Sequence, residues 1–349
     1  MNMARSPLFV KMIPKVHPSQ GAATRELIRQ VLVTLSTTPI GWSSMSSFPI
    51  PAPPTPAETE PSMQLWGMVA TPFLPGGAVD ESSLRTLART LLDRGCTSLV
   101  CLGVIAEPAS LSAAEKIEVL AAVSEEAGSA PVVATVMSLD RTAAVEEARE
   151  FADTLEGRIS AIMVPVSHSD GHTFKENLRA VHAASGLPLI IQDLPKATGV
   201  RIETAALITA VDGLEFVQAI KCEAEPTFER IRHLASRVNC RLVGGFGGIG
   251  LVDDLRAGAT GMAAGISRPE VLAQAIHQWQ SGDERGASSL IAGISGLINL
   301  ETQQGPSIAI RKEHWRRQGV IEHAGVRPPT IPRSAAVDAH SRFYGFNQA

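Results

Sequence analysis

From Gln64 onward, short apolar runs alternate with amphipathic stretches of about a dozen residues, a pattern that few folds accommodate. Several runs are rich in Val and Ile and almost continuously apolar, as strands are when both faces of a parallel sheet are buried. The runs are Leu65–Phe73, Ser98–Gly103, Pro131–Val136, Ile159–Val166, Pro188–Gln192, Phe216–Lys221, Arg241–Gly245 and Gly261–Gly265.

Eight strand–helix units of this length predict a (β/α)8 TIM barrel, which we place at residues 63–270. A doubly wound open sheet is the alternative on periodicity alone. After Pro269 the pattern becomes purely helical, so we expect additional C-terminal helices and a tail, residues 271–349, to pack on the barrel.

Residues 1–62 differ in composition from the rest of the chain. They are basic, contain no acid except Glu26 before Glu58, and end in a cluster of prolines. Proline at that density fixes φ and removes backbone donors, so we expect a disordered or linker-like extension. A transit peptide is one interpretation. An upstream start codon, with Met45 or Met63 as the true start, is the other.

Charge and cysteine usage exclude several classes of partner. The net charge of −4 and the pI of about 6.2 argue against nucleic acid or an anionic membrane as the main partner. The apolar runs are interrupted well short of the roughly 20 residues of a membrane span. The four cysteines lack CxxC spacing, so we expect no metal site, no disulfide framework and a cytoplasmic location.

Lys221 ends the sixth apolar run, and a lysine in that position has two interpretations. It reaches solvent from a strand end, or it is held in the mouth of a barrel. In a mouth, burial disfavours the ammonium form and favours the neutral amine that imine chemistry requires.

A series of short motifs, in order over residues 64 to about 335, resembles the dihydrodipicolinate synthase and N-acetylneuraminate lyase family. The motifs are Thr71-Pro-Phe, Gly103-Val-Ile-Ala-Glu107, Leu187-Pro-Leu-Ile-Ile, Leu194-Pro195, Ala219-Ile-Lys221 and Arg327-Pro-Pro329. The resemblance implies that Lys221 forms a Schiff base with a 2-oxo acid and that no metal or organic cofactor is required. It also implies a homo-oligomer, either a tetramer or a dimer.

The chain departs from this family at positions that touch substrate. Two hydroxyl residues usually follow the glycine after strand two, whereas here Val104 and Ile105 follow Gly103. The family's proton-transferring tyrosine aligns with Gln192, and its loop arginine falls on Ala197, beside Lys196. These departures argue against dihydrodipicolinate synthesis itself. By position, the expected substrate-binding residues are Gly103, Val104, Ile105, Gln192, Lys196, Gly245 and Gly247.

A titratable group must replace the tyrosine if the chain is catalytic. The candidates at strand ends are Glu107, His168, Asp193 and Glu223. Asp193, next to the tyrosine position, is the first choice for proton transfer. Its alternative role is to cap the turn before Pro195. His168 is the second choice, and its alternative is a solvated loop residue.

The run Gly245-Phe-Gly-Gly-Ile-Gly250 matches the GxGxxG pattern that binds pyrophosphate in dinucleotide-binding folds. It occurs late in the chain, and no acidic residue ends the next strand to bind a ribose. We therefore expect these glycines to form the loop after strand seven, where bare backbone can approach substrate.

The sequence as a whole predicts a Schiff-base lyase, an aldolase or dehydratase, acting on a small 2-oxo acid. The alternative is a catalytically silent barrel that binds a small acid as a sensor or scaffold. Loss of the hydroxyl pair and of the tyrosine favours that alternative.

We predict that residues 1–62 are dispensable for folding, because they offer no apolar face long enough to join the core. A chain that begins at Met63 should keep its thermal midpoint within a few degrees of the full-length value, measured by differential scanning calorimetry. Insolubility, or a much lower midpoint, would show that the extension packs on the barrel.

Overall fold

The computed structural model describes residues 63–347, which form a closed barrel of eight parallel strands in chain order. The last strand pairs with the first, which closes the sheet and leaves no edge. The strands are β1 (Gln64–Met68), β2 (Ser98–Cys101), β3 (Val132–Thr135), β4 (Ala161–Pro165), β5 (Leu189–Asp193), β6 (Val217–Cys222), β7 (Arg241–Gly244) and β8 (Gly261–Ala264). The predicted TIM barrel is confirmed, whereas the predicted extension 1–62 lies outside the described residues.

Helices connect the strands and continue after β8. They are α1 (Glu81–Asp93), α2 (Ala113–Ala127), α3 (Arg141–Thr154), α4 (Gly171–Ser185), α5 (Pro195–Thr198), α6 (Thr204–Val211), α7 (Thr227–Ala235), α8 (Leu251–Ala257), α9 (Pro269–Gln280), α10 (Glu284–Glu301), α11 (Ser307–Arg317) and α12 (Val337–Phe343). Within residues 63–347, no helix has the length and apolar character needed to cross a membrane.

Polar side chains fix the starts of several helices. Ser112 and Glu115 form the capping box that their spacing indicates, each side chain bonding the backbone N–H of the other. Asp80, Asp140 and Asp170 each accept a hydrogen bond from the backbone N–H three residues later. The loops that enter these helices therefore have defined ends near the mouth of the barrel.

Alternate residues of each strand belong to two separate apolar cores. The inner core fills the barrel and contains Trp66, Met68, Val100, Val133, Ala161, Met163, Ile190, Ala219, Val243 and Ala263. The residues between them, such as Leu99, Ile162 and Ile191, join the larger core between the strands and the helices. Because both faces are buried, the strands are apolar without alternation.

The helices after β8 lie in two groups. Helix α9 follows β8 as the eighth connecting helix of the barrel, so the predicted boundary at residue 270 falls inside it. Beyond α9, a buried polar network links α10, α11 and α12. Glu301 accepts hydrogen bonds from the backbone and side chain of Ser267 and contacts His314 Nδ1, and His314 Nε2 lies 2.9 Å from Ser341 Oγ. This network holds the C-terminal helices against the loop that leaves β8.

Candidate active site

Lys221 lies on the inner face of β6, at the carboxyl end where the barrel opens. Ala219, two residues earlier, belongs to the inner core, and the period of two directs Lys221 and Glu223 to the same side. Lys221 is only 4% exposed. Of its two interpretations, the structure therefore supports a lysine held in the mouth over one that reaches solvent.

Glu223 is the carboxylate that meets Lys221. Its Oε2 lies 2.9 Å from Lys221 Nζ and accepts a hydrogen bond of 3.2 Å from Gln192 Nε2. Gln192 reaches this group because β5 and β6 pair with Gln192 opposite Lys221. Glu223 Oε1 accepts a hydrogen bond of 3.2 Å from the backbone N–H of Phe246. These three partners come from β5, β6 and the loop after β7, so Glu223 joins neighbouring parts of the mouth.

The glycine-rich run after β7 packs against this group. A Cβ at Gly245 would lie 2.3 Å from Glu223 Oε1, so a side chain there would displace the carboxylate. At Gly247, φ is +70°, and a Cβ would meet Ile298 and Thr302 of the C-terminal region at 3.2 and 3.1 Å. Because the backbone of this loop approaches Glu223 and the C-terminal helices so closely, both positions require glycine.

The loop after β2 makes an apolar wall in the mouth. Val104–Ala106 form a single 3₁₀ turn after Gly103, and the hydroxyl of Thr71 donates a hydrogen bond of 2.9 Å to Ala106 O. The Ile105 side chain packs on the inner core, and its Cδ1 lies 2.2 Å from the position of a Cβ at Gly265. Ile105 thus contributes hydrocarbon, and no hydroxyl, to the mouth.

Two buried polar atoms near the mouth have no hydrogen-bond partner among the described residues: Gln192 Oε1 and Thr135 Oγ1. Thr135 lies at the end of β3 on the inner side, and its hydroxyl is 3.9 Å from the Cβ position of Gly103. Buried polar atoms are nearly always bonded, so these two are available to a ligand. Thr135 was not predicted from the sequence as a site residue, although it lies at the carboxyl end of a strand, as Lys221 does.

Asp193 does not meet Lys221, contrary to the first choice made from the sequence. It follows Gln192 directly and therefore points to the outer face of β5, where Arg230 Nε donates a hydrogen bond of 2.8 Å to its Oδ2. Arg230 also bonds Ile202 O and Thr204 Oγ1. Burial raises the pKa of Asp193, and the guanidinium of Arg230 opposes that rise. The side chain of Asp193 therefore ties β5 to α7 on the outer side of the strand.

The other sequence candidates lie apart from Lys221. His168 is exposed in the loop after β4, where its Nδ1 accepts a hydrogen bond of 2.9 Å from the backbone of Asp170. Lys196 is exposed on α5, with its Nζ 5.8 Å from the centre of the Phe246 ring. Glu107 is buried but is already paired with Lys312. Of the four proton-transfer candidates, the structure therefore brings only Glu223 to the lysine.

The arrangement joins a buried amine, a carboxylate paired with it at 2.9 Å and an amide whose oxygen has no hydrogen-bond partner among the described residues. Such a set can hold and transfer a proton beside a carbon atom attached to the amine. Within residues 63–347, no three His, Cys, Asp or Glu side chains lie close enough to hold a metal ion.

Comparisons with known proteins agree with this architecture. The sequence profile of the Dihydrodipicolinate synthetase family matches residues 62–341. A 4-hydroxy-tetrahydrodipicolinate synthase of Corynebacterium aurimucosum is 29% identical over 272 residues, which are 77% of this chain and 87% of the relative. An L-2-keto-3-deoxyarabonate dehydratase of Azospirillum brasilense is 26% identical over 276 residues, 76% of this chain and 87% of the relative. The solved dihydrodipicolinate synthase of Rhodopseudomonas palustris has the same fold, with a TM-score of 0.75, 22% identity, and coverage of 81% of this chain and 96% of that one.

We predict that Asp193→Asn lowers the free energy of unfolding by about 2–4 kcal/mol, because it leaves the buried guanidinium of Arg230 without its counter-charge. The matched control is Asp253→Asn, at an exposed position of α8, which should change stability by less than about 0.5 kcal/mol. Urea denaturation measures both. Equal effects of the two substitutions would mean that the Asp193–Arg230 pair does not stabilise the barrel.

Proposed function

The chain belongs to the Dihydrodipicolinate synthetase family, and on that premise we propose that it is a lyase in which Lys221 forms a Schiff base with a 2-oxo acid. The observation that carries the proposal is the buried contact of 2.9 Å between Lys221 Nζ and Glu223 Oε2 at the barrel mouth. Members of the family are lyases, whereas the particular reaction and substrate of this chain are our proposal.

Glu223 takes part in forming the imine. It accepts a proton from the ammonium of Lys221, and the neutral amine then attacks C2 of the 2-oxo acid. The resulting carbinolamine carries the former carbonyl oxygen as a hydroxyl. Glu223 returns its proton to that hydroxyl, which leaves as water and gives the iminium ion. One carboxyl group thus acts first as base and then as acid, at a fixed distance from the nitrogen.

We propose dehydration as the reaction that follows. The iminium withdraws electrons from C3, so Glu223 removes a C3 proton to give the enamine. The protonated carboxyl group then donates to the hydroxyl on C4, which leaves as water, and hydrolysis of the imine releases the unsaturated 2-oxo acid. This sequence needs a single substrate, which fits the alignment of the family's second-substrate arginine with Ala197. The similarity to a 2-keto-3-deoxyarabonate dehydratase supports the same choice.

Gln192 assists by holding Glu223. Its amide donates to the Oε2 atom that faces Lys221, and its own Oε1 is without a partner among the described residues. A glutamine does not titrate near neutral pH, so it cannot take over the proton transfer of the tyrosine whose position it occupies. We assign proton transfer to Glu223 and orientation of the carboxylate to Gln192.

We predict that Lys221 traps pyruvate. Incubation with pyruvate and borohydride should add the mass of the reduced imine to the peptide that contains Lys221, detected by mass spectrometry, and Lys221→Ala should abolish the label. Lys196→Ala is the control and should retain it. Labelling of Lys196 in the unmodified protein, or no labelling at all, would contradict the proposed role of Lys221.

We predict that Glu223→Gln lowers kcat by about 10²–10⁴-fold, because it removes a positioned acid and base while preserving the size of the side chain. The measurement is the rate at which a panel of 4-hydroxy-2-oxo acids is converted, monitored as loss of the C4 hydroxyl. His168→Gln, at an exposed loop position, should leave kcat within about twofold of the unmodified value. Trapping without conversion of any of these substrates would favour a sensor or scaffold instead.

A further inference from the structure

Helix α11 packs at the mouth of the barrel, beside the loops that follow the adjacent strands β8, β1 and β2. Lys312 forms a buried ion pair with Glu107, in the loop after β2, and its Nζ is 4.2 Å from the centre of the Phe73 ring after β1. His314, two residues further along, contacts Glu301, which also binds the loop after β8. Arg311 immediately precedes Lys312 on this helix.

The side chain of Arg311 is buried, and none of the described residues forms a hydrogen bond or an ion pair with it. The residue is 8% exposed, and its Nε has no hydrogen-bond partner among the described residues. No described carboxylate lies within ion-pair distance of its guanidinium. A buried, unpaired charge destabilises a fold, and arginine cannot avoid that cost by losing its proton. An arginine of this kind is therefore expected to bind a ligand of opposite charge.

Two carboxylates act on Arg311 electrostatically from a distance. Burial lowers the pKa of Arg311, and the charges of Glu301 and Glu223 oppose that effect. Both carboxylates already have other partners. Glu301 is bonded by Ser267 and His314, and Glu223 is bonded by Lys221, Gln192 and the backbone of Phe246. Arg311 therefore experiences the charge of Glu223, the carboxylate beside Lys221, while its Nε has no hydrogen-bond partner among the described residues.

We propose that Arg311 binds the C1 carboxylate of the 2-oxo acid whose C2 is attached to Lys221. This inference rests on the proposed function, because it assigns the carboxylate of that same substrate. The loop after β2 offers the carboxylate only backbone N–H groups, since Val104 and Ile105 carry no side-chain donor. A guanidinium presents paired N–H donors that match the two oxygens of a carboxylate. The C-terminal helix thus replaces a contact that the family makes from the barrel loop.

The test is the pyruvate concentration that half-saturates borohydride trapping at Lys221. Arg311→Met should raise it by about 10- to 100-fold, the effect of losing charge-assisted hydrogen bonds, and Arg311→Lys should raise it less. Arg316→Met is the matched control on the same helix, because Arg316 pairs with Glu313, and it should leave the value unchanged. Trapping of hydroxyacetone, a ketone without a carboxylate, should be the same in all four proteins.

The outcomes separate this inference from the proposed function. If the unmodified protein traps pyruvate and Arg311→Met does so at the same concentration, the inference is overturned while the function stands. If the unmodified protein does not trap pyruvate, both fail. An equal loss of hydroxyacetone trapping in Arg311→Met would also overturn the inference, because it would show a general distortion of the mouth.

Stability without ligand gives a second, independent measurement. A guanidinium kept for binding and left unpaired should not stabilise the fold, so Arg311→Met should have an equal or higher thermal midpoint in the absence of pyruvate. Addition of pyruvate should raise the midpoint of the unmodified protein more than that of the variant. A markedly lower midpoint for Arg311→Met without ligand would assign the guanidinium a structural role and overturn the inference.

Discussion

Closure of eight parallel strands into a barrel divides every strand between an inner and an outer core, and the chemistry of this protein depends on that division. Inner positions are filled by apolar side chains along the barrel, up to the carboxyl ends of the strands. There Lys221, Gln192 and Glu223 continue the inner rows, so that charge appears only where the apolar core stops. The same closure sends Asp193, one residue after Gln192, to the outer side, where it binds Arg230.

Glu223 shows how a single carboxylate can organise such a mouth. It forms an ion pair with Lys221 and accepts hydrogen bonds from Gln192 and the backbone of Phe246, and the absence of a side chain at Gly245 gives it room. In the proposed reaction, a carboxylate held in this way keeps its distance from the amine while protons are exchanged, which reduces the reorganisation required. Under that proposal, Glu223 takes the role of the family's tyrosine, and the glutamine at the tyrosine position supports it.

The helices after β8 contribute to the mouth as well as to the stability of the fold. The buried network of Ser267, Glu301, His314 and Ser341 fixes them, and the Lys312–Glu107 pair joins α11 to the loop after β2. In the proposed site, Arg311 on this fixed helix supplies the cation that the apolar β2 loop lacks.

The sequence by itself determined the barrel, the strand that carries Lys221, the glutamine at the tyrosine position and the loss of the hydroxyl pair. The barrel and the strand that carries Lys221 follow from spacing and composition, whereas the other two features follow from the resemblance of local motifs to the family. Only the tertiary structure showed that Glu223, and not Asp193, lies beside Lys221. Strands buried on both faces are apolar throughout, so β5 gives no alternation from which the inner side can be identified. Arg311 was likewise out of reach, because its position depends on how distant helices pack over the mouth.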